Sequence, residues 1–290
     1  ALPNGLPGCV AIASNRFRCY KNETRGVKKM GLLNYTFYSQ VLREQVNVSV
    51  VLPTYSRWSS KGTVDEFYRE GKKYKTLYVL HGGSDDCTFY YRNTGIERYG
   101  QEGGFAVVMP EVKNSFYCNM KFGKNYFDYL SKELPTVMQA VFPLSARQED
   151  HYVVGNSMGS HGAMKWALNC PDFFNAAAGM SGVGDVEEMG FFAGKAVGPA
   201  SDAFGTVSDY RGSMNDLKKL AKDFVDSGLQ SPRLFSCCGK EDPYYEGTVL
   251  FKKYADEIGL NLTYETGPGG HTWEFWDEWL KKIIPWMGLV

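Results

Sequence analysis

The sequence lacks a charge imbalance, a long apolar run and any cluster with metal-ligand spacing, and each absence removes a class of function. Thirty-two basic residues offset thirty-two acidic ones across 290 positions, so no global field draws the chain to nucleic acid or to an anionic membrane surface. No run of about eighteen apolar residues occurs, which excludes a helical membrane span. The seven cysteines form neither a C-x-x-C pattern nor a dense scaffold. Their odd count and the apolar setting of Cys237 and Cys238 predict reduced thiols and an intracellular, cytoplasmic setting, with a Cys9–Cys19 pair left open. Neither metal nor cofactor is called for, because the cysteines and histidines are not spaced as ligands. Ala1 opens the chain without methionine or a basic-then-apolar leader, as a trimmed or processed start would. Nothing in the chain settles its oligomeric state, so a homo-oligomer stays open.

What remains is one large α/β domain's worth of chain with 15% aromatic residues, a composition suited to a cleft for a small, near-neutral ligand. Residues 1 to 30 show little periodicity and read as an extended arm. Tyr35, Phe37 and Ser39, then Val46, Val48, Val50 and Leu52, alternate at period two, as an antiparallel hairpin would. Short apolar runs follow at 77–80, 105–109, 152–154, 176–180, 234–238 and 262–264. Helical periodicity at 126–142 and 214–225 lies between some of them, and this alternation predicts a mostly parallel sheet covered on both faces. The interval after Gly182 is too long for a simple crossover, so a small cap is expected over about 183–210 within a domain spanning 31–290.

Gly155-Asn156-Ser157-Met158-Gly159 is the most informative stretch. A strand-like run enters it and a helix-like run leaves it, the context in which G-x-S-x-G holds a nucleophilic serine. The turn requires positive φ at Ser157 and close neighbours without Cβ atoms. It also aims the first free N–H groups of the following helix at the hydroxyl, with Met158 as one oxyanion donor.

Four histidines compete for the role of base. His151 begins the strand that ends at Ser157, so it lies at the opposite edge of the sheet and is expected at the surface. His161 lies four positions past the serine and is expected to point along the helix, away from the hydroxyl. His81 ends a strand before Gly82-Gly83 and is expected to shape the turn beneath the oxyanion loop, whose Gly83 N–H is the second donor. His271 follows a strand and the flexible Gly267-Pro268-Gly269-Gly270, so it can return across the carboxyl edge of the sheet as general base. Asp242, in a turn after the preceding strand and before Pro243, is the expected acid, with Glu241 as the fallback. Tyr90, Tyr117, Phe191, Phe192 and Trp273 are candidates to line an aromatic pocket.

The blocks LYVLHGGSDDCTFYYRNTGIERY, GNSMGSHGAMKWALNCPDFFNAAAGMSG, CCGKEDPYY and GPGGHTWEFWDEWL together resemble the esterase family of α/β hydrolases that includes esterase D, tributyrin esterases and cinnamoyl or feruloyl esterases. The resemblance runs from about Tyr35 to Met287. It implies an α/β-hydrolase fold with Ser157, Asp242 and His271 on the family's nucleophile, acid and base. Tyr90 stands where many relatives carry tryptophan and Ser160 where glycine is common, departures that touch pocket shape. The implied activity is a serine carboxylesterase acting on small short-chain acyl or hydroxycinnamoyl esters. S-formylglutathione hydrolysis and a non-catalytic binding module on the same fold are the alternatives, and transfer to an acceptor other than water also stays open.

Overall fold

Alternating residues between 31 and 52 fold into the expected hairpin: β1 (Gly31–Ser39) and β2 (Glu44–Leu52) run antiparallel, with Tyr35 opposite Val48 and Phe37 opposite Val46. The six apolar runs become β3 (Thr76–Leu80), β4 (Ala106–Pro110), β5 (His151–Asn156), β6 (Ala176–Met180), β7 (Arg233–Gly239) and β8 (Leu262–Gly267). They assemble one eight-stranded sheet in the order β1-β2-β4-β3-β5-β6-β7-β8, antiparallel at β1–β2 and β2–β4 and parallel from β4 onward. This computed structural model describes residues 31–57, 60–192 and 199–290. The expected arm at 1–30, with Cys9 and Cys19, lies outside them.

Every residue of β3, β4, β5 and β6 is buried, because helices cover both faces of the sheet. On one face packs the Met158–Asn169 helix, which crosses over from β5 to β6 and buries Ala163, Met164, Trp166 and Ala167. Its approach is close enough that small residues are needed beneath it. A Cβ on Gly159 would lie 2.1 Å from the Leu80 carbonyl oxygen. The other face receives the Trp273–Met287 helix, capped by Thr272, whose hydroxyl accepts from Phe275 N. Phe275, Trp276, Trp279, Leu280, Ile283, Ile284 and Met287 are buried along one stripe of it. Each such side chain contributes about 1.5–3 kcal/mol of transfer free energy, so this last helix is firmly docked.

The helical stretch expected over 126–142 is interrupted. Tyr126–Asp128 leads into a π-helical turn at Tyr129–Glu133 before the α-helix Leu134–Val141. Pro135 is the local reason, since it has no N–H to bond the carbonyl four residues back. Within the expected cap interval, the helices Pro199–Phe204 and Val207–Tyr210 follow the turn at Asp185–Phe191, while residues 193–198 lie outside the described residues. The five described cysteines, Cys87, Cys118, Cys170, Cys237 and Cys238, are all unpaired.

His151 corrects an expectation. It begins β5 at the far edge as anticipated, but it is buried rather than at the surface. Its Nε2 lies 2.7 Å from the Ser145 carbonyl oxygen and its Nδ1 3.2 Å from that of Phe173, one of which accepts the neutral ring's single N–H, and burial lowers its pKa.

Candidate active site

Ser157 alone turns the chain between β5 and the next helix, with φ 53° and ψ −121°. This is a strained conformation for a residue with a Cβ. The main chain is held there from two sides. Ser157 N donates to the Met180 carbonyl at 2.9 Å, and a Cβ on Gly155 would lie 2.2 Å from Gly159 O. The sharpness of the bend thus comes from backbone packed on backbone. Met158 N opens the helix and has no intrahelical acceptor.

The β3–β4 side of the site is built around His81. Its Nε2 accepts from Val112 N at 3.1 Å, so the neutral ring donates from Nδ1 to the Gly82 carbonyl at 2.7 Å. Burial first of all lowers its pKa, in keeping with that tautomer. Tyr117 donates to the His81 carbonyl at 2.8 Å. His81 therefore shapes the turn that carries Gly83, as expected. Asn114 accepts from Ser84 N at 2.6 Å and pins the same loop, a contact that sequence spacing does not announce. Asp85 was also missed. Its carboxyl is half-buried and its pKa raised, chiefly by that burial, and it lies with Ser157 Cβ within 3.5 Å of where a Cβ on Gly82 would sit.

At the ends of β7 and β8, Asp242 and His271 meet. His271 Nδ1 donates to Asp242 Oδ2 at 2.9 Å, and Tyr244 N donates to Oδ1 at 2.9 Å. Burial works to raise the Asp242 pKa, but these hydrogen bonds outweigh it and leave the group below its ordinary value. The imidazole ring is flanked edge-to-face by Tyr244 at 5.1 Å and Trp276 at 4.9 Å. Trp276 Nε1 in turn donates to Ser181 Oγ at 3.0 Å. Glu241, the fallback acid, does something else: its carboxylate accepts from Gly269 N at 2.5 Å and so ties down the glycine-rich loop that delivers His271.

Ser157 borders a narrow cavity walled by Phe116, Val186, Met189, Phe191 and Tyr244 with Ser181 and Gly182 at its side. Tyr244 and Ser181 thus belong both to the cavity and to the frame around His271. Ser181 was not singled out from the sequence. The signal was present, since it directly follows β6 at the carboxyl edge where ligands bind, and its φ of 59° is a second strained position.

Of the proposed pocket aromatics, Phe191 lines the cavity. Tyr90 and Tyr117 are fully buried, Phe192 packs on Phe204 and Tyr210, and Trp273 packs against Tyr90 and Trp276. Ser160 points its hydroxyl toward Gly179 of β6, where an added Cβ would lie 2.5 Å from that oxygen. It is absent from the cavity lining. His161 reverses an expectation: instead of pointing clear of the serine, its ring lines the same cavity.

A mostly parallel sheet with a serine on a strained strand-to-helix turn, and a late histidine held by a carboxylate, defines an α/β hydrolase of the serine type. Comparison with known proteins narrows this. The chain belongs to the family whose model is described as "Putative esterase", matched over residues 39–287, and it is a carboxylic ester hydrolase. A solved structure of FphF, a fluorophosphonate-binding serine hydrolase of Staphylococcus aureus, superposes with a TM-score of 0.78 at 33% identity, covering 89% of this chain and 98% of that one. S-formylglutathione hydrolase (FrmB) from the same organism gives 0.76 at 33% identity over 89% and 99%. An acetyl esterase of Caldicellulosiruptor saccharolyticus is 25% identical over 269 residues, 90% of this chain and 99% of its own. Among the described residues, no helix is long and apolar enough to cross a membrane.

Proposed function

We propose that this protein hydrolyses esters of short acyl groups through an acyl-enzyme on Ser157, with His271 as general base and Asp242 as the acid that orients it. The observation that carries the reading is the 2.9 Å hydrogen bond from His271 Nδ1 to Asp242, beside a strained serine at a small cavity. That bond assigns the imidazole tautomer and leaves Nε2 to take a proton. Among the described residues no hydrogen bond joins Ser157 Oγ to the ring, so the mechanism requires the two to come within hydrogen-bond reach once substrate is bound.

Ser157 Oγ then attacks the ester carbonyl carbon while its proton passes to His271 Nε2. The carbonyl oxygen becomes an oxyanion facing the N–H groups of Met158 and Gly83. Collapse expels the alcohol, which takes the proton from His271 and leaves the acyl group on Ser157. A water, deprotonated by the same nitrogen, attacks that carbonyl and releases the acid. The space beside Ser157 is narrow and walled by bulky side chains, which favours a few-carbon acyl group over a hydroxycinnamoyl one. Unpaired described cysteines suit a reducing compartment such as the cytoplasm.

The 33% identity to S-formylglutathione hydrolase supports a second reading, a thioesterase acting on a formyl group. Profiling p-nitrophenyl esters of increasing acyl length beside methyl ferulate and S-formylglutathione separates the two. A maximum at two to four carbons, on the order of tenfold above methyl ferulate, is expected from the pocket's size. Faster turnover of S-formylglutathione than of every oxygen ester would replace the first reading by the second.

A further inference from the structure

Three of the side chains that wall the cavity beside Ser157, those of Val186, Met189 and Phe191, come from the one turn at Asp185–Phe191. The turn closes on itself through Met189 N, which donates to the Asp185 carbonyl at 2.9 Å, and Phe191 N, which donates to that of Val186 at 3.1 Å. Phe191 also stacks on Tyr244 with ring centroids 5.4 Å apart. What holds the turn from outside is Arg211, which directly follows the Val207–Tyr210 helix. Each of its terminal nitrogens donates to one oxygen of Asp185, and its Nε donates to Glu187 at 2.8 Å. The Asp185 carboxylate is 0% exposed, and its Oδ1 also accepts from Glu187 N at 3.0 Å and Glu188 N at 3.1 Å. A carboxylate taken out of water in this way depends on its counter-charge staying in place.

We infer that Arg211, which is itself outside the cavity lining, is a positioning residue that sets the acyl-length limit of this esterase by pinning the Asp185–Phe191 turn against Ser157. The cavity is narrow, so a longer acyl chain enters only if Val186, Met189 and Phe191 retreat. Retreat of the turn carries Asp185 away from Arg211, and the ion pair opposes it. Removing the guanidinium alone reverses that balance: the orphaned carboxylate is stabilised by reaching water, and it draws the three walls outward with it. Removing both charges does not, since an amide at position 185 still accepts from Glu187 N and Glu188 N and has no charge to rehydrate.

This inference rests on the esterase reading, and its test keeps the two apart. Values of kcat/KM are measured for p-nitrophenyl acetate and p-nitrophenyl octanoate with wild type, Arg211→Met, Arg211→Lys and the double variant Asp185→Asn/Arg211→Met, a sample of each being labelled with a fluorophosphonate to establish a folded, reactive Ser157. The octanoate-to-acetate ratio is expected to rise about tenfold in Arg211→Met. It should rise less in Arg211→Lys, which keeps the charge but not the two-pronged fit, and return close to the wild-type value in the double variant. An unchanged ratio in labelled Arg211→Met overturns the inference while leaving the esterase reading in place. So does an equal rise in the double variant, which would trace the effect to lost bulk rather than to the buried charge. Should Arg211→Met fail to fold, the lysine variant decides: a raised ratio there supports the inference and an unchanged one overturns it. Failure of the wild type to be labelled or to turn over either ester overturns both.

Discussion

At the scale of single residues, the site depends on two groups held against their preferences. Ser157 sits at positive φ because its surroundings over-determine the turn. Replacing it by alanine is expected to reduce kcat by about 10⁴- to 10⁶-fold and to abolish fluorophosphonate labelling. Steady-state kinetics and intact-mass spectrometry read these out; an active, labelled Ser157→Ala would end the mechanism. Asp242 is held ionised below its ordinary pKa despite burial. Its folded-state pKa lies below the unfolded value of about 3.9, so the stability it contributes is fully present above that pH and is lost as pH falls through the folded-state value. The melting-temperature gap between wild type and Asp242→Asn should therefore be constant above about pH 5 and close toward pH 2. A gap that widens in acid would contradict the assigned sign. At neutral pH, Asp242→Asn should also slow turnover by about 10⁴-fold, because the amide disturbs the imidazole tautomer.

At the scale of elements, the site is a set of strand ends joined by loops that other side chains tie down. The Met158–Asn169 helix approaches β3 so closely that Gly159→Ala would press a Cβ to 2.1 Å from backbone oxygen, which no rotamer relieves. That variant is expected to lose about 4 kcal/mol or more in urea titration, since the clash requires strand and helix to separate. The same helix is tied to the loop forming the cavity wall. Buried Lys165 donates to Phe116 O at 2.8 Å, to Cys118 Sγ at 2.9 Å and to Asn215 at 3.2 Å. Phe116 and Tyr117 both have positive φ there, so the lysine holds a strained turn. Lys165→Met should cost about 1–3 kcal/mol by orphaning the Phe116 carbonyl. Equal midpoints for variant and wild type would show the tie to be without weight.

At the scale of the whole molecule, balanced charge matters more than its amount. With thirty-two residues of each sign, long-range steering of a neutral ester is absent. Its kcat/KM should change by less than about twofold between 0.05 and 0.5 M salt. A steep salt dependence in stopped-flow or initial-rate data would point to an ionic substrate instead.

Much of the architecture was legible along the chain because its signals are local. Period-two alternation marks β1 and β2, short apolar runs mark the other six strands, and glycine two residues either side of Ser157 marks the bend. Chain order then places Asp242 and His271 at the same sheet edge as the serine. The places where reading failed are those where two distant segments meet. His151 and His161 differ from expectation because the carbonyls of Ser145 and Phe173 cover the first and the cavity walls from Phe116, Val186 and Phe191 enclose the second. Tyr90 and Tyr117 look like pocket aromatics in sequence, yet the helix and loops around them carry both into the core. Local order thus determined which backbone turns and which strand ends exist, since these follow from steric and periodic rules acting over a few residues. Which side chains face the substrate was decided only by tertiary packing, because burial depends on neighbours dozens of residues away.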